Sequence, residues 1–77
     1  SMSLSFALQS KSNTTLSVVH LTEGHTYCYL VVLLEDRLVL KAARIKSSPA
    51  GRENAELHEP EARRFAETEA RQAYLID

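Results

Sequence analysis

Leu4, Phe6 and Leu8 alternate with Ser3, Ser5, Ala7 and Gln9, a period of two that predicts a half-buried strand. Ser10-Lys11-Ser12-Asn13 then reads as a turn. Thr14 to Leu21 (TTLSVVHL) is β-branched and aliphatic, the composition a pleated surface favours. Thr22-Glu23-Gly24 follows as a hairpin turn, with Gly24 supplying the positive φ such loops need. His25 to Leu34 forms a third strand, Glu35-Asp36-Arg37 is a polar break, and Leu38 to Lys46 (LVLKAARIK) closes a second hairpin. Strands are therefore expected at about 3–9, 14–21, 25–35 and 38–46.

A two-residue turn at Glu23-Gly24 sets Thr22 opposite His25, His20 opposite Tyr27, Val18 opposite Tyr29 and Leu16 opposite Val31. Those side chains share one face with Leu33. The other face collects Leu21, Val19, Thr26, Cys28, Leu30, Val32 and Leu34. Leu30, Leu34, Leu38, Ala42 and Ile45 also fit helical spacing, so a helix through Leu30–Lys46 is the competing reading. The valine pairs and the missing N-cap favour strands.

Ser47-Ser48-Pro49-Ala50-Gly51 is the clearest loop. Beyond it the composition turns to Ala, Glu and Arg. Pro60 suits a first helical turn, and Glu59 and Glu61 suit the positive end of the helix dipole. A helix is expected over about 60–75, with Ala62, Phe65, Ala66, Glu69/Ala70 and Ala73 on one stripe, and Arg52–His58 able to add a turn or two before it. The expected organisation is one domain over 1–77, with sheet at 3–46, loop at 47–58 and helix at 59–76. Ser1 before Met2 reads as a tag remnant. The fold class is α+β: a four-stranded antiparallel sheet of two hairpins, meander-like, followed by one C-terminal helix packed on one face.

With 77 residues the chain sits near the size at which one core supplies only about 3–5 kcal/mol. Cys28 is the only cysteine, so no internal disulfide forms. No metal or other cofactor is implied. The third strand is apolar on both faces, and one helix covers only one of them. Leaving Tyr27, Tyr29, Val31 and Leu33, or else Cys28, Leu30, Val32 and Leu34, in water exposes a patch that monomers rarely carry. This predicts a homodimer, with Tyr27, Tyr29, Val31 and Leu33 as interface candidates. The alternative cover is residues 47–58 folded back across the second face. Met2–Leu8 lacks the marks of a signal peptide, and the run Tyr27–Leu34 is far short of the roughly 20 residues that cross a bilayer. The expected location is the cytoplasm, with no membrane contact.

Net charge is −1 but unevenly placed: residues 35–46 sum to +2 and residues 47–77 to −3. That predicts an acidic helix beside a basic strand. Glu59 with Arg63 and Glu67 with Arg71 are expected as exposed i, i+4 pairs. His20, His25 and Cys28 invite a metal reading, but His25 and Cys28 leave a strand from opposite faces, so histidines capping a sheet end are expected instead. Cys28 is expected buried and inert, and no catalytic motif is present, so no enzyme is expected. Tyr27 and Tyr29 with Arg44 and Lys46 outline a sheet that stacks single-stranded bases, although Lys41 is read on the face opposite Arg44 and Lys46. The functional expectation is a non-enzymatic interaction or regulatory protein acting as a homodimer. It would bind another protein through its acidic helix or a sheet edge. A nucleic-acid-binding sheet is the runner-up.

Overall fold

The computed structural model describes residues 5–77, so Ser3 and Leu4 of the expected first strand lie outside the described residues. In chain order the elements are β1 (Phe6–Lys11), β2 (Thr15–His20), β3 (Thr26–Leu34), β4 (Arg37–Lys46), α1 (Arg52–Leu57) and α2 (Glu59–Gln72). The strands form one antiparallel sheet in the order β1-β2-β3-β4, and the helices pack against one face of it. This is the α+β meander that the period-two pattern predicts. Residues 30–46 are strands, joined by a tight turn at Glu35-Asp36. Both turn residues have positive φ, 49° and 67°. Such a turn matches strand twist but favours Asn-Gly, so it holds αL strain of about 1–2 kcal/mol per residue against the ladder it closes.

The first hairpin differs from expectation in its loop. His20 donates its backbone N–H to the His25 carbonyl at 2.8 Å, so residues 21–24 form the loop, with Gly24 at φ 82°. Leu16 then faces Tyr29, and Val18 faces Tyr27. The cause is the His20 ring: its Nδ1 accepts the backbone N–H groups of Thr22 at 3.2 Å and Glu23 at 3.0 Å, which stabilises the wider loop. A slip of two residues keeps every side chain on its expected face.

Two bulges do change faces. The β1–β2 register shifts between Leu8 and Ser10, and the β3–β4 register shifts where Cys28 faces Arg44 but Tyr29 faces Ala42. Ala43 is thus an extra residue in β4.

The segment expected as loop at 47–58 contains α1, a six-residue helix that turns into α2 at His58. Pro60 lies in the first turn of α2, as expected. That helix ends at Gln72 rather than near residue 75, because Tyr74 adopts φ 60° and reverses the chain. The reversal lets Ile76 enter the core. The core joins Phe6, Leu16, Val18, Tyr27, Tyr29 and Leu40 of the sheet to Ala62, Ala66 and Ala70 of α2. Phe65 stacks on Phe6 with ring centroids 6.0 Å apart.

Alanine at four-residue spacing removes side-chain bulk from the contact, so the helix backbone lies close to the sheet. Ala66→Leu is expected to lower stability by about 1–3 kcal/mol through overpacking. Exposed Arg64→Ala should change it by less than about 0.5 kcal/mol. Urea midpoints at unchanged m-value check both.

Candidate interaction surface

The helices cover the face of Leu16, Val18, Tyr27 and Tyr29, leaving the opposite face open. Register places Val19 and Ser17 of β2, Cys28, Leu30, Val32 and Leu34 of β3, and Val39 of β4 on that open face. Leu30 is 39% exposed and Leu34 59%. On the β1 side the face is polar: the Ser17 hydroxyl donates to Gln9 Oε1 at 3.1 Å and lies 2.6 Å from the Ser10 hydroxyl. Residues 47–58, the alternative cover, instead form a loop and α1 on the helix side, where Tyr27 Oη donates to the Ala55 carbonyl at 2.6 Å.

β4 gives the open face its charge. Arg37 faces Leu34, Lys41 faces Leu30, Arg44 faces Cys28 and Lys46 faces Thr26. The extra residue Ala43 restores Arg44 and Lys46 to the face of Lys41, which corrects the expectation that Lys41 points the other way. Among the described residues none of these four cations forms a salt bridge. The ion pairs among the described residues lie within the helices, as Arg52–Glu56, Glu59–Arg63 and Arg63–Glu67. Arg71, expected to pair with Glu67, instead donates from Nε to the Asp77 carbonyl at 3.1 Å.

Tyr27 and Tyr29 are each 1% exposed, Val31 is half-buried against the core, and only Leu33, 69% exposed, remains in solvent. The expected interface set therefore belongs mostly to the helix-covered face. The tyrosines also lie on the face opposite Arg44 and Lys46, and among the described residues the open face carries no aromatic ring. Tyr29 Oη donates to Glu59 Oε2 at 3.0 Å, and the Arg63 guanidinium lies 5.5 Å from the centre of its ring. Burial, then the Glu59 charge, pushes the Tyr29 phenol well above its ordinary range.

The histidines are committed to structure. His25 Nδ1 accepts the Ser48 N–H at 3.0 Å, which leaves Nε2 to donate to Asn54 Oδ1 at 2.7 Å and ties the 47–51 loop and α1 to the sheet. His20 holds the 21–24 loop, and its ring lies 4.5 Å from that of His58. Among the described residues no group of three or more potential ligands is placed to hold a metal ion. Cys28 is half-buried on the open face rather than in the core as expected.

Beyond Thr14, the strand pair β3–β4 extends past β2 as an arm. Leu33 and Leu38 are exposed on one side of it and Leu34 on the other. A shallow concavity of about 500 Å³ runs between Leu33 of the arm, Leu40 and Ala42 of β4, and Arg63 of α2. Among the described residues no helix is long and apolar enough to cross a membrane. No protein-family model, curated protein or solved structure matches the chain.

Burial, followed by the neighbouring His58, lowers the His20 pKa below 6.5, and the neutral ring is the form whose Nδ1 can accept the loop N–H groups. The unfolded chain therefore binds a proton before the folded one does. The stability this gives is present above about pH 6.5 and is lost as pH falls through the lower folded value. Urea unfolding at pH 7.5 and 5.5 should show that loss, and His20→Asn, whose amide oxygen accepts without titrating, should reduce it.

Proposed function

We propose that this chain is a non-enzymatic protein-interaction module that works as a homodimer, with the second copy lying against the open sheet face. The observation that carries the reading is the apolar strip Cys28, Leu30, Val32, Leu34 and Val39, which no segment of the described chain covers. The non-enzymatic part is supported by His25, both of whose ring nitrogens hold structural partners, and by His20, whose Nδ1 is taken by the loop N–H groups.

Magnitude sets the strength of association. A nine-residue β3 in a sheet with strands about 4.8 Å apart gives a planar face of roughly 500 Å². Side-chain relief and the arm bring this toward the lower bound of stable interfaces, about 600 Å² per partner. A reversible dimer is the matching expectation, not an obligate one.

Charge selects the geometry. Two-fold packing about an axis across the strands stacks β4 on β4 and sets the two cation rows against each other. An axis along the strands lays β4 over the partner's β1, where Gln9 and Ser10 present neutral oxygens. The second arrangement is the one proposed. The runner-up, a surface for single-stranded nucleic acid, draws support from the aligned cations but lacks an aromatic platform beside them.

Two measurements test the dimer. Leu30→Lys places a charge on the open face and should give a folded monomer by light scattering. Val31→Lys places one against the core and should unfold the domain, since an unpaired buried charge costs several kcal/mol. Cys28 serves as a reporter, its labelling by a thiol reagent slowing as protein concentration rises. A chain that stays monomeric at millimolar concentration, with concentration-independent labelling, would sink the reading.

A further inference from the structure

β4 is an edge strand of ten residues, and part of its outer edge is already occupied in an informative way. The Asp77 backbone N–H donates to the Leu38 carbonyl at 3.1 Å, and the Asp77 carboxylate accepts the Leu38 N–H at 2.7 Å. An acidic residue thus sits on the edge much as an added strand would. Two residues along, Arg63 Nη1 donates to the Leu40 carbonyl at 3.2 Å. Outward bonding at 38 and 40 fixes the phase of the strand, because antiparallel strands direct alternate residues' backbone groups inward and outward. Ala42 therefore turns its N–H and carbonyl away from β3 as well. It is exposed, and neither group takes part in a turn, loop or tail hydrogen bond among the described residues.

Beside this free stretch stand Lys41, Arg44 and Lys46, all on the open face and all without an ion-pair partner among the described residues. We propose that the β4 edge from Lys41 to Lys46 docks an extended acidic segment of another protein as a further strand, with alternate carboxylates meeting these cations. Backbone pairing supplies the affinity and the charge row supplies the choice of partner. A second copy is a poor occupant of the same edge. Two-fold pairing of β4 with β4 continues both sheets and sets like charges opposite each other, which destabilises a ladder. Edge lysines and bulges also serve to guard sheets against aggregation. A guard repels its own kind but leaves an acidic strand free to bind, so the peptide decides between the two roles.

The probe is a fluorescein-labelled peptide of alternating Val and Glu, read by anisotropy against the full chain. Three comparators accompany it: the same peptide with Lys for Glu, the same peptide N-methylated at alternate backbone amides, and a single-stranded DNA of equal charge. The acidic peptide is expected to bind, one per chain whether light scattering shows monomer or dimer, so the result stands apart from self-association. N-methylation on the bonding phase and Lys41→Glu should each weaken it by about tenfold or more, the scale of one lost charge-assisted or backbone hydrogen bond. Ala42→Pro removes only an outward N–H, a change tolerated on edge strands, and should have the same effect. The N-methylated peptide asks the same question should that variant misfold. The proposal is overturned if the acidic and basic peptides bind equally, if neither binds, or if N-methylated peptide and DNA bind as well as the unmodified peptide. That last outcome would mark the cations as a general polyanion surface with no strand added.

Discussion

The contact between the Ala62, Ala66 and Ala70 stripe of α2 and the Leu16, Val18, Tyr27 and Tyr29 face of the sheet governs what the rest of the chain can do. A helix with its side chains is about 10–12 Å across, while four strands at about 4.8 Å spacing are wider. One helix seated over the middle of the sheet cannot also roof its far edge. α2 lies mainly over β1, β2 and β3, while β4 contributes Leu40 and Ile45 to the core and meets the Arg63 side chain and the returning tail at Asp77 along its outer edge. The exposed arm and the free edge follow from this mismatch in width, and the open face follows from both helices packing on the same side of the sheet.

Burying two tyrosines and a histidine under so thin a layer requires a partner for each polar atom. Tyr27 Oη reaches the Ala55 carbonyl, Tyr29 Oη reaches Glu59, and His25 reaches Asn54 and the Ser48 N–H. Three of these four partners lie in the α1–α2 segment, which explains why a six-residue helix with no side-chain N-cap bond holds its place. Hydroxyl and imidazole groups that look like candidate chemistry in the sequence act here as pins between layers. Among the described residues no buried side-chain polar atom is left without a partner.

Strand identity was legible in residues 14–46 because alternation and β-branched content agree with short turns. Side-chain faces up to Leu34 were legible too, since the real loop at 21–24 moves the register by two residues and two preserves parity. The covered face could not be read from β3, which is apolar on both sides. It is set by β1 and β2, whose apolar Phe6, Leu16 and Val18 lie on the tyrosine face and whose Ser10 and Ser17 lie on the other, and by the tyrosine hydroxyls, which find acceptors in the helices. The cation row was not legible. Nothing in LVLKAARIK marks Ala43 as a bulge, and that one residue separates scattered charges from an aligned set. α1 was legible only as an option, because its six residues carry a weak pattern.

The alignment of Arg37, Lys41, Arg44 and Lys46 joins the two surfaces into one problem of selectivity. An apolar face alone would accept any apolar partner, and a bare edge any strand. Four cations in a row make both surfaces sensitive to charge. Over the face they disfavour β4 stacked on β4 and leave the arrangement of β4 over β1, whose open-face residues Gln9 and Ser10 are neutral. Along the edge they disfavour a second β4 and leave acidic strands. Such charges act mainly through rejection, since exposed ion pairs contribute only about 0–1 kcal/mol each, whereas like charges held together by a fixed interface lose on every contact. On this reading the bulge at Ala43 is the feature that makes the domain selective: without it Arg44 and Lys46 would fall on the helix-covered side, and both surfaces would be left with little charge beyond Lys41 and Arg37.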